Sequence, residues 1–149
     1  MTDQLPECPP AWDALPDFGL YMDQMLLYTQ RFVPVELTAG MVNSYVKAGI
    51  MDRPKGKKYG RAALAQLLMI AALKQVVSLE NLRRLLHPAE EESAPDTEAL
   101  YGRFRAAWAR LAEALPLRED VPALELCVEA AEYQYLCRQK LSGQPEPED

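Results

Sequence analysis

Proline and glycine set the outline of this chain. Pro34, Pro54, Pro88, Pro116 and Pro122, with Gly49 and Gly56, cut a helix-forming sequence into short lengths. Proline has no amide hydrogen and its ring collides with the preceding turn, so an internal proline stops a helix. Glycine takes the left-handed conformation that closes one. Six helices are expected between these breaks.

The first is predicted from Phe18, because Phe18, Met22, Met25, Leu26, Thr29 and Phe32 recur at helical spacing before Pro34. Thr38 is placed to cap a second, about ten residues long, carrying Met41, Val42, Tyr45 and Val46 and closing at Gly49. Ile50-Met51 and Lys58-Tyr59 flank Pro54 and Gly56, and are expected to pair as two tiny strands around a turn. A third helix, Arg61 to Gln75, is apolar nearly all round and therefore central. Ser78 caps a fourth over Leu79 to Leu86, with Leu79, Leu82, Leu85 and Leu86 on one face. Asp96 caps a fifth with the stripe Leu100, Phe104, Trp108, Leu111 and Leu115. Asp120 and Pro122 open a sixth, striped by Val121, Leu124, Val128, Ala131 and Tyr135. The fifth and sixth are expected to fold back as an antiparallel hairpin.

Composition excludes several classes of function. At 149 residues and 49% hydrophobic, the chain has material for one core and an appendage, so neither disorder nor a disulfide scaffold is required. Cys8, Cys127 and Cys137 contain no CxxC pair, and the single histidine, His87, cannot complete a zinc site with them. Free thiols, no metal and no cofactor are expected. The start Met1-Thr2-Asp3-Gln4-Leu5-Pro6 lacks the basic and apolar regions of a signal peptide. The longest apolar run, Ala62 to Leu73, is twelve residues broken by Gln66, against about 20 for a bilayer span. A cytoplasmic protein without membrane association is the expectation. Gly56-Lys57 is not a phosphate loop, since Met51 stands where its first glycine belongs and Lys58 replaces the hydroxyl residue. His87, between Leu86 and Pro88, reads as a helix-end dipole partner rather than a catalyst. No catalytic residue is assigned, and the chain is not expected to be an enzyme.

Charge carries the functional expectation. The net charge of −6 argues against a polyanion partner until it is divided along the chain. Lys47, Arg53, Lys55, Lys57, Lys58, Arg61, Lys74, Arg83 and Arg84 face only Asp52 and Glu80, so this stretch carries +7, flanked by −5 before it and −8 after it. A concentrated positive patch attracts a polyanion whatever the charge of the whole. Helix, capped second helix, basic turn and two packed helices follow the order of a winged helix-turn-helix, whose second helix enters a groove while the wing touches backbone. Asn43, Ser44 and Lys47 share a face of the second helix; Asn43 is a candidate for an adenine edge. Arg53, Lys55, Lys57, Lys58 and Arg61 are candidates for phosphates, with Lys57 and Lys58 foremost. Tyr45 and Tyr59 bracket the turn and fit either phosphate contact or core packing. The expected fold class is mainly α: a winged helix-turn-helix with a very short β-hairpin wing, then a C-terminal helical hairpin. The predicted organisation is an extended arm over 1–17, this domain over 18–87, an acidic linker over 88–96, the hairpin over 97–141 and a flexible tail over 142–149.

Two resemblances bear on this reading. Tyr45, Gly49, Ile50, Tyr59, Leu64, Leu67, Ile70, Ser78, Leu79, Leu82 and Leu85 or Leu86 fall on positions that resemble the DNA-binding half of MerR-type regulators. Asn43 and Ser44 depart from the arginine and aromatic usual there, Lys57 replaces the wing arginine, and the wing is short. Leu15-Pro16-Asp17, Leu20-Tyr21-Met22-Asp23-Gln24, Leu37-Thr38, Met41-Val42-Asn43, Tyr45-Val46-Lys47 and Lys57-Lys58-Tyr59 are similar to a bacterial family, mostly from Firmicutes, known as domain of unknown function 1836. That likeness runs from about Trp12 to about Leu86 and implies a regulatory role without an activity. The MerR resemblance implies dimerisation through the later helices, with Phe104, Trp108, Leu111, Leu124, Val128 and Tyr135 as candidates; packing onto the first domain is the alternative. The expected function is a homodimeric, double-stranded-DNA-binding transcriptional regulator, open to an unknown small-molecule or protein effector. The alternative is a winged-helix protein-interaction module without DNA binding.

Overall fold

The computed structural model describes residues 7–87 and 96–142. The helices are α1 (Met22–Phe32), α2 (Ala39–Lys47), α3 (Arg61–Leu73), α4 (Leu79–Leu86), α5 (Thr97–Ala114) and α6 (Ala123–Ser142), with short 3-10 turns at Trp12–Ala14 and Leu115–Arg118. The chain is mainly helical. The acidic linker lies outside the described residues apart from Asp96, as do the tail beyond Ser142 and the first six residues of the arm.

Three helix starts follow from side-chain caps. Thr38 Oγ1 accepts the Met41 amide at 3.1 Å, Ser78 Oγ the Asn81 amide at 3.2 Å, and Asp96 Oδ1 the Ala99 amide at 3.1 Å. Each satisfies an amide that the first turn leaves unpaired. Thr38→Ala is expected to lower unfolding free energy by about 1 kcal/mol, read as a shifted urea midpoint at unchanged slope.

Long-range pairing changes two expectations. The first helix begins at Met22, not Phe18, because Leu20 exchanges backbone bonds with Tyr59 (3.0 and 2.8 Å). Gly19, at φ +86°, turns the chain into that bridge, and a Cβ there would meet Lys58 Cδ at 3.0 Å. The strands around the basic turn do not form. Ile50 and Met51 both return their amides to the Tyr45 carbonyl (3.0 and 3.3 Å), closing α2 behind left-handed Gly49, so neither can pair with Lys58-Tyr59. Lys55 and Lys58 bond each other instead, at 2.9 and 3.1 Å, around left-handed Gly56. Among the described residues there are thus two isolated bridges and no β-strand.

α3 is the axis of the core. Its residues Ala63 to Ala71 are all buried, packed against α1, α4 and α5. The core does not end with α4: Tyr101 of α5 is fully buried in it, its ring edge-on to Trp12 (6.3 Å between centroids) and stacked with Phe104 (6.0 Å). The Tyr101 hydroxyl donates to the Pro10 carbonyl at 2.7 Å and Arg105 Nε to the Pro9 carbonyl at 2.8 Å. Leu15 is buried as well, so the segment before α1 is strapped across α5.

α6 does not zip along α5. It leans on α4, with Gln134 Nε2 donating to the Val76 carbonyl at 2.8 Å and Cys137 and Leu141 packed against the core. Arg118 pairs with Glu129 at the corner. Between α5 and α6 lies an apolar groove of about 1000 Å³ lined by Leu111, Leu115, Leu126, Tyr133 and Leu136. No described helix is long and apolar enough to cross a membrane.

Candidate nucleic-acid interface

The outward face of α2 follows from its caps and its stripe. Val42 and Tyr45 turn into the core, which leaves Asn43, Ser44 and Lys47 exposed on the other side. Asn43 has no hydrogen-bond partner among the described residues, so its amide is open to a ligand. Ser44 Oγ donates to the Gly40 carbonyl at 3.1 Å, which occupies its only hydrogen.

Beyond α2 the basic side chains divide into two groups. Arg53, Lys55, Lys57 and Lys58 are exposed, and none forms an ion pair among the described residues. Lys58 Nζ stands 5.4 Å from the centroid of the Tyr21 ring. A cleft of about 560 Å³ is lined by Tyr21, Met22 and Asp23 at the start of α1, Ala39 at the start of α2, and Pro54, Gly56 and Lys57 of the turn. The lysine turn therefore lies beside the beginning of α2.

The other basic residues have structural partners. Arg61 spans the core edge, its guanidinium 5.6 Å over the Trp12 ring and 3.5 Å from Asp17, so it braces the arm rather than facing outward. Lys74 Nζ donates to the Glu36 carbonyl at 2.7 Å. Arg83 and Arg84 close on Glu80, whose carboxyl the Arg83 hydrogen bond holds below its usual range. Tyr45 and Tyr59, candidate phosphate contacts, have their rings in the core; burial raises the Tyr45 hydroxyl above its ordinary value. The alternation that puts Val42 inside puts Tyr45 inside with it, and the bridge to Leu20 fixes Tyr59 inward.

Two positioning residues escaped sequence reasoning. Gln66 is buried on α3; its Oε1 accepts the Asp52 amide at 2.7 Å, and its Nε2 donates to Asp52 Oδ1 at 3.1 Å and Thr97 Oγ1 at 3.3 Å. It ties the basic turn to α3 and α5 together. His87 Nε2 meets the Ile50 carbonyl at 2.7 Å, fixing the other end of the same segment to the end of α4. The signal for Gln66 was present: one amide inside a twelve-residue apolar run must find partners. His87 offered no comparable signal, since its partner is a backbone atom 37 residues away.

The dimerisation candidates also separate. Phe104 stacks on Tyr101, and Trp108 packs edge-on to Phe104 at 5.6 Å, so both rings are engaged within their own chain. Leu111, Leu124, Val128 and Tyr135 are exposed. No group of three metal-ligating side chains occurs among the described residues.

This arrangement, a helical core with a basic turn strapped to it, coincides with a known sequence family. The family described as Domain of unknown function (DUF1836) matches residues 10–104. The chain belongs to that family. The match reaches past α4 into α5, the stretch where Tyr101 and the strap complete the core. No curated protein matches the chain, and neither does any solved structure.

Proposed function

We propose that this protein is a cytoplasmic transcriptional regulator that binds duplex DNA through the exposed face of α2 and the basic turn 53–58. In this reading α1 and α2 act as a helix-turn-helix, and the tight Lys55–Lys58 turn takes the place of a wing. One observation carries it: a cluster of exposed, unpaired cations sits on a turn fixed at three points, by the Leu20–Tyr59 bridge, by Gln66 and by His87. Long flexible cations on a solvated loop lose entropy on binding, whereas a fixed backbone removes part of that cost. Lys47, Arg53, Lys55, Lys57 and Lys58 would contact phosphates, and Asn43 a base edge. The acidic remainder, concentrated after α4 in sequence, would be repelled by a polyanion and so orient the molecule.

Binding to mixed-sequence duplex DNA measured against salt tests this. Five phosphate contacts give a log–log slope of about −4 to −5, and Lys57→Ala/Lys58→Ala should flatten it by about two. Absence of binding at low salt would remove the nucleic-acid reading. A second reading, a protein-interaction module, is favoured by the exposed Phe18 and Leu27, which with Pro16 and Tyr28 line a cleft of about 660 Å³.

A further inference from the structure

Arg103 and Arg110 share a face of α5, two turns and about 10 Å apart at 1.5 Å per residue. Neither forms an ion pair or a side-chain hydrogen bond among the described residues, whereas Arg105 is held by the Pro9 carbonyl and Arg118 by Glu129. Within one turn on either side, Arg103 has no carboxylate and Arg110 only Glu113, with which it does not pair.

Both arginines border a groove between α3, α4 and α5. Its volume is about 460 Å³, inside the range of about 300–1000 Å³ usual for small-ligand sites. The walls are Met69 and Leu73 of α3, Leu85 and Leu86 of α4, and Leu100 and Phe104 of α5. Apart from the two guanidiniums, no lining side chain offers a conventional hydrogen bond.

That lining selects its ligand. An uncharged polar molecule would leave its hydrogen bonds with water unreplaced against these walls, and a cation would meet two like charges. A molecule with an apolar body and an anionic end leaves nothing unsatisfied, since a guanidinium grips a carboxylate through two parallel bonds. Side chains on a helix tilt toward its N-terminus, so Arg110 leans back over Ala106 and Ala107, which are small enough to leave room for a head group. We propose that this groove binds an amphiphilic carboxylate, its hydrocarbon chain along Leu73, Leu85 and Phe104 and its carboxylate over Ala106 and Ala107 between the two guanidiniums. No residue of the basic turn lines the groove, so the site is separate from the proposed DNA contact and its test contains no nucleic acid.

Octanoate, octan-1-ol and octyltrimethylammonium share one chain length and differ in head-group charge. Each would be titrated into the protein by calorimetry below its micelle concentration. Octanoate should bind saturably, one molecule per chain, about ten- to a hundredfold more tightly than octan-1-ol, as a charged hydrogen bond adds. The cation should bind least. Arg103→Gln/Arg110→Gln should bring octanoate down to the affinity of octan-1-ol and leave octan-1-ol unchanged. Ala107→Phe, which fills the groove from an exposed position, should abolish binding of both. A ligand that binds only the folded state raises the urea midpoint, so octanoate should raise it in wild type and in neither variant. No saturable binding of octanoate at millimolar concentration would overturn the proposal. So would equal affinity for acid and alcohol, octanoate binding undiminished in either variant, or a lowered urea midpoint. Binding seen only in Glu90→Gln/Glu91→Gln/Glu92→Gln would mean that the chain's own carboxylates occupy the arginines, and would overturn it as well.

Discussion

Tyr101→Ala is expected to lower unfolding free energy by about 3–5 kcal/mol, the range for truncating a large buried aromatic. Tyr101 is fully buried between Trp12 and Phe104, and its hydroxyl holds the Pro10 carbonyl. The truncation leaves a cavity at the joint of α3, α5 and the N-terminal strap, so all three lose contacts at once. Tyr101→Phe keeps the ring and removes only the hydrogen bond, and should cost about 1 kcal/mol. Urea denaturation of the two variants separates packing from hydrogen bonding. Equal losses would mean that the hydroxyl, not the ring, holds the strap.

The same residue predicts a pH response. Burial pushes the Tyr101 hydroxyl well above its ordinary value, which means the folded state keeps it neutral. A group raised on folding contributes stability that is complete below its unfolded value, about 10 for tyrosine, and is lost as pH rises through the folded one. Unfolding midpoints should therefore fall above about pH 10 in the wild type. Tyr101→Phe should fall less steeply over the same window.

What could be read from the sequence was local. Thr38, Ser78 and Asp96 announced their helices because a cap and its amide lie three residues apart, and α3 announced itself by the absence of charge between Arg61 and Lys74. What could not be read was set by distant partners. Leu20 and Tyr59 compete with the helical pattern of Phe18 through a bridge 39 residues long in sequence, and the predicted hairpin gives way because Ile50 and Met51 return their amides to Tyr45. Arg61 looked like one more cation of the patch, yet Trp12 and Asp17 claim it from the other end of the arm. The exposed side chains of the candidate interface, Asn43, Lys47, Arg53, Lys55, Lys57 and Lys58, were legible from spacing and charge alone. Their support was not, since it comes from α3 and α4. The apolar stripe of α6 was equally plain in sequence, but a stripe does not say which neighbour it meets. In the fold α6 reaches the body through Gln134, Cys137 and Leu141, the side turned away from that stripe.

Gln66→Glu should make the fold strongly dependent on pH. The glutamine amide both donates to and accepts from Asp52 within the apolar body of α3, and the replacement is nearly the same shape. When protonated, the introduced carboxyl can still accept the Asp52 amide and donate its hydrogen to the Asp52 carboxylate. When ionised, it sets a buried negative charge beside the exposed Asp52 carboxylate. Burial and like charge both raise its folded value above the unfolded carboxylate value of about 4.3. By linkage, stability is kept at low pH and lost as pH rises. The variant should lie within about 1 kcal/mol of wild type near pH 5, and about 3 kcal/mol or more below it at pH 8. Gln66→Leu should lose about 1–3 kcal/mol at both, because it strands the Asp52 amide without adding a charge. Urea midpoints at the two pH values, with wild type alongside, give the comparison. Hydrogen exchange should speed at Asp52, whose amide Gln66 accepts, before it speeds in α3. A pH-independent loss in Gln66→Glu would mean that the side chain leaves its buried place beside Asp52, and the basic turn would have to be held by His87 and the Leu20–Tyr59 bridge alone.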